Sequence, residues 1–263
     1  LTDNQTFFGI FSTLLPRLSA YLCSVRIFPT EQAFDEAAAR CIYDCIGAKK
    51  NAVVGLSTGR TTKNMHNILA RMLCDRPLDL SEVTFFGQDE IGGVPREYWG
   101  ACYTMLKTEL LDALPLREDQ FLMLPTASDD YRRGCQAVTA QVGRPGGGGP
   151  LVLGLGENGH LGFNQPGTPF GSTAWASTLS PELDARVRKD LSLGADASLC
   201  GVTMGLKDVM HARRLLLVAK GDHKAAMVKE ILQGPVTEAV PASILQLHPS
   251  CEYYLDARAA SLL

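Results

Sequence analysis

From Phe34 onward the chain alternates short β-rich apolar runs with longer segments of helical periodicity, and this restricts it to parallel sheets covered by helices. Asn51 to Leu56 reads as a buried strand, Thr62 to Leu73 as an amphipathic helix, and Val83 to Phe86 as the next strand. Helices are expected near Tyr103 to Leu111 and Asp129 to Val142. The glycine-rich stretch from Arg144 to Pro150 reads as a surface connector rather than a domain boundary, because strand-like Leu151 to Leu155 follows at once. Arg214 to Ala219 is expected as a strand, His223 to Leu232 as a helix and Glu252 to Leu255 as a closing strand. The expectation is an N-terminal extension over 1–33 and one doubly wound α/β domain over 34–263, with ligands at the carboxyl ends of its strands.

Composition narrows the partners. With 263 residues, 46% of them hydrophobic, the chain can bury a substantial core, and its formal net charge of −3 offers no broad attraction to nucleic acid or to an anionic membrane. Any anion must therefore be met locally. Eight cysteines are scattered without a CxxC pair, which fits neither a zinc site nor a disulfide scaffold; Cys41 and Cys45, one helical turn apart, read as packed thiols in a reducing compartment. The apolar stretch Phe7 to Leu15 is short for a membrane span and follows Asp3 rather than a basic segment, so the expected location is cytoplasmic. It reads as an extension that packs on the body or on a neighbouring subunit.

Four segments carry candidate chemistry. Ser57-Thr58-Gly59-Arg60-Thr61 leaves a buried strand and enters a helix, where backbone N–H groups can meet a phosphate; a plain N-capped turn reads equally from the same residues. Gln88-Asp89-Glu90 follows the strand Val83 to Phe86. Two adjacent acids there cannot both enter the core, so at least one is expected to face the ligand crevice or solvent, where a carboxylate could act as base on a carbon acid. Gly154 to Pro166 contains GxGxxG, but prolines 166 and 169 interrupt the helix a dinucleotide site would need; His160, among glycines, reads as an accessible proton carrier. In Gly221-Asp222-His223-Lys224, Asp222 reads as an N-cap, and Lys224 in the first helical turn opposes the helix dipole unless an anion binds beside it. No cluster has metal-ligand spacing, so neither a metal nor a nucleotide cofactor is expected.

Taken together and in order, these segments resemble the glucosamine-6-phosphate deaminase/isomerase family and its galactosamine-6-phosphate relatives. The resemblance runs from about Phe34 to Leu255. It rests on Ser57-Thr58-Gly59 with Thr61, Phe85 through Asp89-Glu90, Gly154 through Gly159-His160 to Asn164 and Pro166, Gly205 to Asp208, and Pro241 to His248. It implies a single three-layer α/β/α domain with a mostly parallel, Rossmann-like sheet. The implied reaction is metal-independent: a hydrolase-type conversion of an aminosugar 6-phosphate to a ketose 6-phosphate plus ammonia. The implied roles are proton shuttle at C2 and C1 for Asp89, ring opening for His160, and phosphate cradle for Ser57, Thr58, Gly59, Arg60, Thr61 and Lys224. Glu90, Asn158 and Gln165 complete the implied catalytic set, and a homo-oligomer is a possible assembly.

The departures from the pattern define alternatives. Asn158 and Gln165 stand where glucosamine-type members carry Asp and Glu, although Asn158 resembles the galactosamine-type relatives. A neutral amide does not stabilise an imidazolium as a carboxylate does. The family's phosphate-binding arginine has no clean counterpart in Arg186-Val187-Arg188-Lys189. Thr173, Trp175 and Ser177 replace three cations of the allosteric site of hexameric members, so activation by an N-acetylated aminosugar phosphate is not expected. The competing readings are a 6-phosphogluconolactonase-like hydrolase and a catalytically reduced sugar-phosphate-binding protein.

Overall fold

The computed structural model describes residues 24–128, 130–142 and 149–263. Its main sheet has seven parallel strands: β1 (Ser24–Phe28), β2 (Val53–Leu56), β3 (Thr84–Gly87), β5 (Phe121–Leu122), β6 (Leu151–Gly154), β9 (Leu215–Ala219) and β10 (Cys251–Asp256), in spatial order β1-β10-β9-β6-β2-β3-β5. The central strands are apolar on both faces, as a sheet covered by helices on each side requires. In β9 every residue is buried: Leu216 and Val218 join one core cluster, while Leu215, Leu217 and Ala219 join the other. Successive side chains of a strand point to opposite faces, so one five-residue run supplies both layers.

The first cluster is closed by α1 (Glu31–Ala48) and α2 (Lys63–Asp75), through Phe34, Ala38, Ile42 and Ile46 on one and Met65, Leu69 and Leu73 on the other. These spacings are the three- and four-residue steps of a helical stripe. Thr30 caps α1 by accepting the Ala33 N–H at 3.1 Å. The second cluster lies beneath α6 (Leu206–Met210) and α7 (Ala225–Gln233) and takes in Leu206, Val209, Val228 and Ile231. Further helices are α3 (Cys102–Glu109), α4 (Tyr131–Val142) and α5 (Pro181–Leu191). A helix–sheet–helix sandwich follows, as the sequence leads one to expect.

Two expectations are corrected and one element is added. The body begins ahead of residue 34: β1 pairs in register with β10 from Ser24 to Phe28, and α1 starts at Glu31. Asp222 does not cap a helix; it opens a 3₁₀ turn, Asp222–Lys224, that leads into α7, and its carboxylate instead binds Arg258 at 2.9 Å. A second sheet, antiparallel and three-stranded, was not foreseen: β4 (Asp89–Gly92) and β7 (Trp175–Ser177) flank β8 (Cys200–Thr203). The stretch Phe7 to Leu15, Asp129 and most of the Arg144 to Pro150 connector lie outside the described residues.

Candidate active site

In the main sheet the chain order runs outward from β2 to β3 and β5 on one side and from β6 to β9 and β10 on the other. This switch between β2 and β6 opens a crevice at their carboxyl ends, where parallel α/β sheets bind ligands. A cleft of about 430 Å³ lies there. Its walls come from segments that follow six of the parallel strands: Glu31 after β1, Ser57 to Thr62 after β2, Gln88 and Asp89 after β3, Gly154 to Gly162 after β6, Lys220 to Lys224 after β9, and Arg258 after β10.

The turn after β2 is tied to both neighbouring strands. Ser57 Oγ donates to the Val152 carbonyl at 2.6 Å and accepts from Gln88 Nε2 at 2.5 Å, so a single hydroxyl bridges β6 and the segment after β3. Thr62 stands at the N-cap of α2, yet its hydroxyl donates to the Ser57 carbonyl at 3.0 Å instead of accepting from the helix. No side chain caps α2, which leaves its positive end to an anion. Lys224 faces the same space and is buried, with no ion-pair or hydrogen-bond partner among the described residues. Burial holds its pKa below that of an ordinary lysine; Glu157 opposes the shift and Arg60 adds to it. An ammonium in that position gains from a phosphate what the protein alone does not supply.

Asp89 opens β4 and is 8% exposed, and its Oδ1 has no hydrogen-bond partner. Burial, reinforced by the neighbouring Glu90 charge and partly offset by the Cys102 thiol, raises its pKa to about 7. A carboxylate poised there can both accept and return a proton near neutral pH. Gly162 is required opposite it: its φ is +56°, and a Cβ would stand 2.6 Å from Thr203 Oγ1 and 3.3 Å from Asp89 Oδ2. Glu90 points elsewhere. Wholly buried, it accepts from the N–H groups of Ile91, Cys102 and Tyr103, each at 2.8 Å, and so anchors the start of α3. Asp89 faces the crevice, as expected of at least one of the two acids, while Glu90 is enclosed beside α3, because successive residues of β4 leave it on opposite faces. Its place at α3, away from the cleft lining, removes Glu90 from direct contact with a ligand.

His160 is half-buried, packed over Gly156, where a Cβ would run into the imidazole. Its Nδ1 lies 2.6 Å from Asn158 Oδ1, and Asn158 Nδ2 donates to Gln165 Oε1 at 3.1 Å. Since the amide oxygen only accepts, this chain assigns the ring proton to Nδ1 and leaves Nε2 bare. Burial and the Lys224 charge hold His160 below the ordinary histidine pKa, with Glu157 acting the other way. The imidazole is therefore neutral near pH 7. Asn158 and Gln165 line a side cavity of about 350 Å³ that shares His160, Gly162 and Lys224 with the main cleft.

The structure thus gathers Ser57, Thr58, Gly59, Arg60, Thr61, Asp89, His160 and Lys224 in one cleft, with Asn158 and Gln165 behind the histidine. Gln88, from the segment of the acidic pair, joins it, as do Lys220 and Arg258, which the sequence does not mark; Arg258 arrives only because β10 ends there. Arg188 is committed to Asp184 and to the carbonyls of Gly194 and Ala197, so it holds its own loop. Trp175 and Ser177 lie in β7, where Trp175 Nε1 donates to Asn164 Oδ1 at 3.0 Å and Ser177 Oγ to the Phe163 carbonyl at 3.0 Å. Among the described residues no group of three or more His, Cys, Asp or Glu stands together as for a metal.

Comparison with known proteins gives a consistent answer. The family model described as glucosamine-6-phosphate isomerases/6-phosphogluconolactonase matches residues 30–252. A glucosamine-6-phosphate deaminase of Bacillus velezensis is 32% identical over 230 residues, spanning 87% of this chain and 95% of its own length. Another, from Bacillus cytotoxicus, is 31% identical over 243 residues, spanning 91% and 88%. The solved structure of a monomeric glucosamine-6-phosphate deaminase superposes with a TM-score of 0.83 at 28% identity, covering 91% of this chain and all of that one. The 6-phosphogluconolactonase of Trypanosoma brucei shares the fold, with a TM-score of 0.69 at 20% identity over 92% of this chain and 98% of its own.

Proposed function

Because this chain belongs to the glucosamine-6-phosphate isomerase/6-phosphogluconolactonase family, we propose that it is a cytoplasmic aminosugar-6-phosphate deaminase that releases a ketose 6-phosphate and ammonia. The observation that carries this reading is Asp89, a buried carboxylate with a free Oδ1 and a pKa near 7, sharing one cleft with a neutral imidazole and an uncapped helix end. The turn Ser57 to Thr61 and Lys224 bind the phosphate and fix the sugar's direction. The bare Nε2 of His160 takes the proton of the anomeric hydroxyl and returns it to the ring oxygen, which opens the ring to the aldehyde. The C2 proton, now next to a carbonyl, is acidified; Asp89 removes it and delivers it to C1. The amine carbon becomes an imine, which water hydrolyses to the ketone with loss of ammonia. Overall, one water is consumed for each ammonia released, a hydrolytic deamination coupled to an isomerisation.

The test is release of ammonia and ketose 6-phosphate from glucosamine 6-phosphate and galactosamine 6-phosphate, assayed side by side. Acid release from 6-phosphogluconolactone, with no ammonia from either aminosugar, would replace this reading with the lactonase one. Binding of both aminosugar phosphates without any product would replace it with a sugar-phosphate sensor.

A further inference from the structure

Lys220 lines the cleft just past the end of β9 and is held there by a buried carboxylate. Its Nζ lies 3.1 Å from both oxygens of Asp35, which is 2% exposed on α1, and 5.7 Å from the centre of the Phe34 ring. Asn64, in the first turn of α2, donates to Asp35 Oδ2 at 2.7 Å. One carboxylate therefore ties the ammonium to the helix whose uncapped end faces the same cleft. An ammonium has three N–H groups, and the two oxygens of Asp35 accept two of them. The other anion in ion-pair range among the described residues is Glu31, whose Oε2 is 3.8 Å away, beyond hydrogen-bond length. Glu31 Oε1 lies 3.5 Å from Arg258 Nη1. All three side chains line the cleft, so a half-exposed carboxylate sits between two cations at the wall a ligand would meet.

Resting on the sugar-phosphate reading of the cleft, we propose that Lys220 is a second phosphate-binding cation beside Lys224, and that an incoming phosphate displaces Glu31 from it. A buried ion pair is a weak way to hold a fold together, because an apolar pair of similar volume often serves as well. What Asp35 and Lys220 supply, and an apolar pair would not, is an ammonium fixed in the cleft wall with one N–H left for a ligand. A lysine already immobilised loses less side-chain freedom on binding than one free in solvent. Lys224, buried and without an ion-pair or hydrogen-bond partner among the described residues, marks the same space as lacking an anion. A phosphate group has three strong acceptor oxygens and more charge than a carboxylate, so it can meet Lys224 and Lys220 together and displace Glu31 from the latter. Glu31 then passes to water, and Arg258 keeps Asp222 at 2.9 Å, so the exchange strands no charge.

Calorimetric titration with inorganic phosphate reads the site without turnover, and kinetics on glucosamine 6-phosphate then read it in the reaction. Lys220→Met should bind phosphate about tenfold more weakly and raise KM for the sugar phosphate with kcat little changed. If that variant fails to fold because Asp35 is left buried and unpaired, Asp35→Asn/Lys220→Met set against Asp35→Asn should show the same loss. Glu31→Gln should bind phosphate about two- to fivefold more tightly, since the competing anion is gone. Phosphate affinity that does not depend on Lys220 would overturn the proposal, giving the lysine the single task of neutralising Asp35. A Glu31→Gln affinity equal to or below the wild-type value would overturn it as well. The expected affinity changes in a protein that releases no ammonia would uphold the phosphate site while refuting the deaminase reading.

Discussion

Replacing Asp89 by Asn should make the protein more stable and inactive, with a pH signature that follows from burial. An acid whose pKa is raised in the folded state opposes folding above its unfolded value, and the penalty grows with pH until the folded pKa is passed. For Asp89 the window runs from 3.8 to about 7. Linkage over such a window gives a penalty of roughly 2 kcal/mol at pH 5 and roughly 4 kcal/mol at pH 8. Asparagine keeps the shape without the charge, so the stability gain of Asp89→Asn over wild type should grow by roughly 2 kcal/mol between those two pH values. Urea unfolding at pH 5 and pH 8 measures the difference, and the variant should still bind the sugar phosphate while turnover is lost. A gain independent of pH would show that Asp89 titrates like a surface acid. Near-normal turnover would remove it from the reaction altogether.

Three other outcomes are expected. Gln165→Glu places a carboxylate behind Asn158, which favours the imidazolium and should raise the rate on a cyclic aminosugar 6-phosphate; an unchanged or lower rate would show the cleft adapted to the amide. Glu157→Gln removes the charge that holds the His160 pKa up, so an NMR titration of the ring should move further below the ordinary histidine value, and a rise would contradict the assigned electrostatics. Kinetics should be hyperbolic and unresponsive to N-acetylated aminosugar phosphates, because Trp175 and Ser177 are engaged within β7 and its neighbours and a phosphate there would forgo charge-assisted bonds of about 1.5 to 3 kcal/mol each. Sigmoidal kinetics relieved by such a ligand would refute this.

What the sequence displayed and what it hid divide along physical lines. The runs at 51–56, 83–86, 151–155 and 214–219 were legible because a central parallel strand is buried on both faces and reads as unbroken apolar sequence. Ser24–Phe28 escaped because it is an edge strand, largely exposed and interrupted by Arg26. The second sheet escaped because its strands are three or four residues long and its partners, such as Asp89 and Thr203, are far apart in the chain. That omission is also why Glu90 was misplaced: only the β4 pairing sends two adjacent acids to different buried surroundings. The phosphate turn and His160 showed through their glycines, whereas Arg258 and Lys220 carry no local signature.

The two amides behind His160 look like a loss when set beside a carboxylate, yet they agree with the rest of the cleft. Lys224 and burial already hold the imidazole neutral, and an Asn158 oxygen that only accepts fixes the proton on Nδ1. A neutral ring with a bare Nε2 is the form that can take a hydroxyl proton, so the amide chain selects the tautomer without adding charge. A carboxylate at position 165 would make the ring a stronger base but would also draw it toward the imidazolium, which cannot accept. At physiological pH these two effects oppose each other, and their balance depends on Lys224, whose charge a phosphate bound as proposed would neutralise. On that proposal, substrate binding would remove part of the field that depresses the His160 pKa, supplying through the ligand some of the basicity that Gln165 does not provide.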